Sequence, residues 1–438
     1  MTATAPAQRK GRRLFGVPIV VALFFFAMMF PTSVSVNAGS MRLSLFRVVL
    51  IIMFLPMLWA LFSGRNLKPN IFDALVLGHA AWALLALINW GGLVQGIESG
   101  GIYIVEAVGA YLVGRVYIRG LVDFTAFAKL FVGSVAVMVL FTLPEALSSN
   151  HFLYNGFAAA TGAPPAPYIE KRMGLARAFG TFDHPILYGV FSAAAFSLAY
   201  FMVAGRRLTN FRGMIMVLAV SLATFLSASG GPYLVLIMQI FVATWERVLT
   251  GVQGRWKALL ALFLLVYLWI DLMTTRTPFH VFITYFTFSA QSSYNRILIF
   301  TYGTAEVARH PLLGIGMGDW IRPPWMSDSM DNFWLLIAVR YGLPALAMLV
   351  ALMVGLVVAV ANRPDFPPAW RNARHAWAFG LFGMAVVGGT VHLWNALFVL
   401  FMFMIGSGVW MYDSRPELAP RARGTAPPRP AAPPPRLF

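Results

Sequence analysis

The chain reads as an all-α, polytopic membrane protein with about twelve transmembrane helices and two large periplasmic loops. Three observations predict this. Of its 438 residues, 59% are hydrophobic and 11% charged, and the mean hydropathy is +0.73, a balance outside the range of soluble domains. Apolar runs near the roughly 20 residues that cross a bilayer recur along the whole length. Basic residues gather in alternate connections, as they do in short loops that stay in the cytoplasm.

The runs lie at about 14–31, 43–62, 71–90, 98–118, 124–145, 184–204, 211–228, 231–248, 257–273, 332–360, 374–389 and 391–411. The first is long enough to span and is followed by Pro31, Thr32 and Ser33 rather than a small-residue cleavage site, so it reads as a span and not as a signal peptide. Arg9, Lys10, Arg12 and Arg13 precede it, and Arg415, Arg421, Arg423, Arg429 and Arg436 follow the last run, which sets both termini in the cytoplasm. The connections with Arg65 and Lys68, Arg115 and Arg119, Arg206, Arg207 and Arg212, Arg247, Arg255 and Lys257, and Arg363, Arg371 and Arg374 fall on that same side. The division is thus a basic tail (1–13), a membrane domain (14–412) and a Pro- and Arg-rich tail (413–438) that reads as disordered.

Two segments on the opposite face, 146–183 and 274–331, are too long for simple turns. The first holds the stiff stretch Gly162-Ala163-Pro164-Pro165-Ala166-Pro167, then Glu170, Lys171, Arg172 and Arg177. In the second, 292–309 reads as an amphipathic helix along the membrane surface. Ile297, Leu298, Tyr302 and Ala305 take its apolar side, and Arg296, Glu306 and Arg309 lie elsewhere. Cations beside apolar residues at a bilayer surface suit an anionic lipid headgroup, and the 274–331 loop, with Arg276, Arg296, Glu306, Arg309, His310 and Asp331, is where the chemistry is expected.

Cysteine is absent, which removes disulfides, thiolate metal sites and a cysteine nucleophile. There is no P-loop, dinucleotide glycine fingerprint, zinc-type His-Glu-x-x-His or Gly-x-Ser-x-Gly elbow. The net charge of +17 is assigned to topology and anionic lipid, with no nucleic-acid partner. Acidic residues on the outer face are few, mainly Glu170, Asp183, Asp319, Asp328 and Asp331, so no clustered metal site is evident. Glycosyl transfer from a diphosphate donor without a metal needs positive charge from elsewhere, and the planar arginine fork supplies it by bonding phosphate oxygens bidentately.

Three segments carry a resemblance. Arg177-Ala178-Phe179-Gly180-Thr181-Phe182-Asp183-His184-Pro185 is the first. Tyr294-Asn295-Arg296, leading to His310-Pro311-Leu312-Leu313-Gly314-Ile315-Gly316, is the second, and Asp331-Asn332-Phe333-Trp334-Leu335 through Tyr341-Gly342-Leu343-Pro344 is the third. In order and spacing they resemble the O-antigen polymerase and ligase superfamily, over roughly residues 170–350 plus the helical frame. The resemblance implies a metal-independent, inverting glycosyltransferase, without cofactor, acting at the periplasmic face of the bacterial inner membrane. Its implied donor and acceptor are undecaprenyl-diphosphate-linked oligosaccharides, with membrane lipid and a polysaccharide copolymerase as further partners. Two departures stand out. In the ligase branch the third motif begins with a histidine regarded as the base, and Asp331 stands in its place, which favours a polymerase. Ser227-Ala228-Ser229-Gly230-Gly231 lacks the arginine that many relatives carry after the serine. The alternatives are a ligase moving finished polymer onto lipid A core and a flippase for the same lipid-linked sugar.

Arg177 and Arg296 match the positions that the resemblance gives to the donor diphosphate; snorkelling at helix ends is the other reading. Arg172 and Arg276 lie close by without matching a motif. Asp331 is either the base for the acceptor hydroxyl or a plain helix cap over Trp334, and Asn332 either orients sugar or caps. His184 and His310 are phosphate ligands, substitutes for the missing imidazole, or turn residues. Arg340 either lines the site or pairs with an acid such as Glu106, and Arg47 shares that ambiguity. Trp320, Trp325, Phe333 and Trp334 read as belt residues or as faces for sugar rings.

Overall fold

The structure is a computed structural model and describes residues 12–38, 41–64, 67–205, 210–274, 277–278, 280–281 and 290–414. Arg276 and most of both basic tails lie outside the described residues. The chain is mostly helical, and among the described residues seven stretches are long and apolar enough to cross a membrane: Leu45–Phe62, Ile71–Tyr117, Leu121–Ser148, Pro185–Ala204, Arg255–Met273, Phe333–Ala361 and Ala396–Asp413. Ile19–Met28 and Phe211–Leu226 are apolar but shorter. The expected twelve rested on apolar runs alone. A two-strand ribbon over Arg13–Leu14 and Val17–Pro18 shortens the first run. Gly230–Val248 carries buried Gln239 and Glu246, and Arg371–Gly388 opens with Arg371, Arg374 and His375, which lowers their apolar character.

Ile71–Tyr117 is two arms rather than one rod. Gly92 takes φ 73°, and a Cβ on Gly96 would lie 2.4 Å from Ile88 Cα. Residues eight apart in a continuous helix are separated by about 12 Å at 1.5 Å per residue, so the chain doubles back at Gly92. The arms match the two expected runs 71–90 and 98–118.

Surfaces divide by solvent. None of the residues of Arg255–Met273 is buried, and Leu265, Trp269 and Leu272 are 65%, 63% and 78% exposed. Such a face is a liability in water and costs nothing against lipid tails. Ala396–Asp413 is the opposite case, buried from Ala396 through Met411. Lipid is as apolar as phenylalanine, so close packing rather than exclusion of water must hold such helices together. Glycine provides the approach: a Cβ on Gly406 would sit 2.1 Å from Tyr111 O, and one on Gly114 2.5 Å from Phe403 O. Phe25, Phe127, Phe131 and Phe191 fill the neighbouring layer, with the Phe131 and Phe191 rings 4.8 Å apart.

At one end of the bundle three arginines are matched by acids. Arg13 pairs with Asp123 at 2.5 Å, Arg115 with Asp73 at 2.9 Å and Asp413 at 2.6 Å, and Arg255 with Glu246 at 2.7 Å. Glu106 pairs with Arg47 at 2.7 Å, so Arg47 rather than Arg340 is its partner.

The helix expected over 292–309 forms over Ala290–Arg309, but its buried stripe is rotated from the expected one. Ile299 and Glu306 are buried while Ala305 is exposed. Glu306, 2% exposed, explains the rotation: its carboxylate accepts from Ile321 N–H at 3.0 Å and from Arg309 at 2.9 Å. Three of the four aromatics read as belt or sugar-facing are structural. Trp320 and Phe333 are buried, and Trp334 donates to Ala385 O at 2.9 Å; Trp325 is exposed.

Candidate functional site

The segment Arg172–Pro185 is pinned almost residue by residue. Ala176 N–H donates to Ala146 O and Ala178 N–H to Leu226 O, both at 3.0 Å. The buried Glu145 carboxylate accepts from Phe179 N–H at 2.8 Å, Gly180 N–H at 3.2 Å and the His151 ring at 2.6 Å. Gly180 has φ 59°, and a Cβ there would meet Met138 at 2.3 Å. Asp183 accepts from the Thr32 amide at 3.1 Å and hydroxyl at 2.7 Å. These bonds fix where Arg177 and His184 project.

Arg177 is 7% exposed. One terminal nitrogen donates to Ser229 Oγ at 2.7 Å, and its Nε, also buried, meets no acceptor among the described residues. Burial, with Arg172 close by, lowers its pKa to about 10. Ser229 is itself held by donating to Ser227 O at 2.8 Å. The Ser-Ala-Ser-Gly-Gly segment thus positions Arg177. Arg172 reaches Ala228 O at 3.5 Å, the limit of a hydrogen bond, and its charge acts on Arg177, His184 and Arg296. Burial lowers the pKa of Arg296 as well, against the favourable charge of Asp331. Arg172 and Arg177 of one segment therefore share a neighbourhood with the distant Arg296 and with Asp331. An anion is the species such a site favours.

The second and third motifs lock together. The helix Phe333–Ala361 breaks at Gly342, φ 82°, two residues before Pro344. A break orphans backbone groups, and the His310–Gly316 segment takes them up. Ile315 N–H donates to Val339 O at 2.8 Å, Gly316 N–H to Arg340 O at 2.9 Å, and Leu343 N–H to Pro311 O at 2.8 Å. The approach requires glycine: a Cβ on Gly342 would lie 1.9 Å from Leu312 O, and one on Gly314 2.4 Å from Val339 O. Arg340 sits at the C-terminal end of the first half-helix, where the dipole favours a cation. It bonds Tyr341 and acts on His392.

His392 and Trp394, which the sequence reading passed over, belong to the same region. Their loop joins the two C-terminal helices, and Phe333 N–H donates to its Val391 O at 3.3 Å. Trp394 lies between two imidazoles, 6.1 Å from His184 and 5.8 Å from His392. Burial and the nearby arginines lower both histidines to about 4, so both are neutral at pH 7. His184 caps its helix by accepting from Ile186 N–H on Nδ1 at 3.1 Å. Its proton is therefore on Nε2, which makes it a hydrogen-bond donor and rules it out as the substitute base.

Other expected residues have different partners. The helix cap is Asn332, whose Oδ1 accepts from Leu335 N–H at 3.0 Å, so Asp331 is not the cap over Trp334. Asp331 accepts from Ser329 Oγ at 3.0 Å and faces Arg296. His310 is half exposed, with its ring 3.5 Å from Glu306, and so belongs with that carboxylate rather than with the arginines. The signal for His392 was weak in sequence: a lone histidine at the start of the last apolar run, outside every motif. A comparison with models of known protein families finds no match to this chain, and neither does a search of curated protein sequences.

Proposed function

We propose that the protein is a polysaccharide polymerase of the inner membrane, crossing it about twelve times with both termini cytoplasmic and the arginine site at the periplasmic face. It joins undecaprenyl-diphosphate-linked oligosaccharide repeats into an exopolysaccharide, capsule or O-antigen chain by inverting transfer. One observation carries this reading: Arg172 acts on both Arg177 and Arg296, so that three arginines converge where Asp331 faces Arg296, and Arg177 there is bonded to the neutral hydroxyl of Ser229.

In the reaction, Arg177 and Arg296 bind the donor diphosphate and stabilise the charge that grows on it as the sugar leaves, with Arg172 and Arg340 adding to the potential. Desolvated arginines are strong here because little water screens them. His184 donates its Nε2–H to the same oxygens. An acceptor hydroxyl attacks the anomeric carbon from the opposite face, and the polyprenyl tails approach between helices. No cofactor is needed, because the diphosphate linkage supplies the energy.

The test is to incubate purified protein with a short lipid-linked repeat and no energy source. A ladder of longer products supports the polymerase; unchanged length with substrate bound refutes it, and label on an added lipid A core acceptor identifies a ligase instead. Arg296→Ala should abolish the ladder while the protein stays folded in detergent.

A further inference from the structure

The loop between the last two helices has an alternating pattern. Val391 and Leu393 are 2% and 1% exposed and anchor it in the core, while His392 and Trp394 are only half-buried. His392 and Trp394, whose ring centroids are 5.8 Å apart, lie side by side on the less buried face. That face meets His184 and comes under the charge of Arg340. Asn395, which follows, holds φ 49°, a left-handed conformation uncommon outside glycine and typical of segments fixed for a purpose.

The polar partners of the seven histidines set His392 apart. His79 bonds Ala345 O and Tyr103, His151 pairs with Glu145, His184 caps its helix, His310 and His375 face Glu306 and Glu246, and His280 also has a partner. His392 has no hydrogen-bond or ion-pair partner among the described residues, and its lone pair is available.

The geometry points to an acceptor subsite in this loop, in which Trp394 stacks against the acceptor sugar and His392 takes the proton of the attacking hydroxyl. This deepens the polymerase reading and rests on it. The acceptor oxygen forms the new bond to the anomeric carbon, and the bond from that carbon to the diphosphate breaks with its electron pair on the diphosphate oxygen. The hydroxyl proton moves to the His392 ring. Arg340 makes an imidazolium unfavourable there, so the proton passes on to solvent or the departing diphosphate, and the base is regenerated. A bound diphosphate offsets the surrounding positive charge, so His392 accepts a proton most readily when donor is in place. Asp331, held by Ser329 and facing Arg296, is then a positioning residue for that arginine.

The test compares wild type, His392→Ala, His392→Gln, Trp394→Ala and Asp331→Asn on a lipid-linked repeat, with thermal melts to confirm folding. His392→Ala should lower kcat about 10²–10⁴-fold, leave the donor KM unchanged, and recover activity with added imidazole. His392→Gln, close in size but unable to take the proton, should be as slow. Trp394→Ala should raise the acceptor KM, and Asp331→Asn the donor KM. Wild-type kcat in both His392 variants overturns the proposal, as does a kcat loss that imidazole does not restore. A wild-type protein that makes no ladder overturns the polymerase reading and this one with it; a normal ladder with unaffected variants overturns this one alone.

Discussion

Replacing Arg177 by Gln removes a buried cation whose bonded partner is the neutral hydroxyl of Ser229. Buried charge without a counter-charge destabilises the fold, so Arg177→Gln should raise the melting temperature in detergent. Transfer should fall about 10²–10³-fold, the usual effect of losing one preorganised donor. A lower melting temperature would show that the fold depends on the guanidinium. His184 and His392 give the pH prediction. Both are held at about 4 in the fold, against 6.5 unfolded. As pH falls from 6.5 toward 4, the unfolded chain binds protons that the folded chain does not. The contribution is therefore complete above 6.5 and is lost through that window. His184→Asn keeps a capping acceptor and should flatten melting temperature against pH between 6.5 and 4; an unchanged slope would assign the effect elsewhere.

Among the elements, the interlocked loop and broken helix set the position of Arg340 and of the Asp331–Asn332 turn. Gly342→Ala meets two penalties, a positive φ and a Cβ 1.9 Å from Leu312 O. The first alone costs about 1–3 kcal/mol. The variant should melt well below wild type and make little polymer, as should Gly314→Ala, whose Cβ would strike Val339 O. Gly133→Ala, with nothing within 4 Å of the new Cβ, is the control and should melt like wild type or slightly above it. If all three behave alike in a melt, the interlock does not hold the site.

Over the whole molecule, paired charge at one end and converging cations at the other should respond oppositely to mutation. Arg255→Gln removes the close partner of Glu246, which is 1% exposed, leaving the more distant His375 and the charge of Arg374 to face it. Breaking a buried pair costs about 3–5 kcal/mol, so this variant should melt lower, whereas Arg177→Gln should not. Inorganic diphosphate, used as a probe, should raise the melting temperature of wild type by mass action and leave that of Arg177→Gln nearly unchanged. An equal shift in both would place diphosphate binding away from Arg177.

Local sequence was enough for the membrane class and for a helix at 292–309, found over Ala290–Arg309, because apolar run length and periodicity are read within a few residues. It separated the two arms that fold back at Gly92 but not the two halves of the helix broken at Gly342, because that break is a backbone event inside one apolar run. Nor did it show that Asn332 caps while Asp331 faces Arg296, because two neighbouring polar residues are equivalent until a helix fixes its first turn. His392 and Trp394 had no motif to mark them. Only folding sets their loop beside His184, Arg340 and the arginines some 50 to 220 positions earlier, and a shared site made from such distant segments exists only once the helices that carry them have packed.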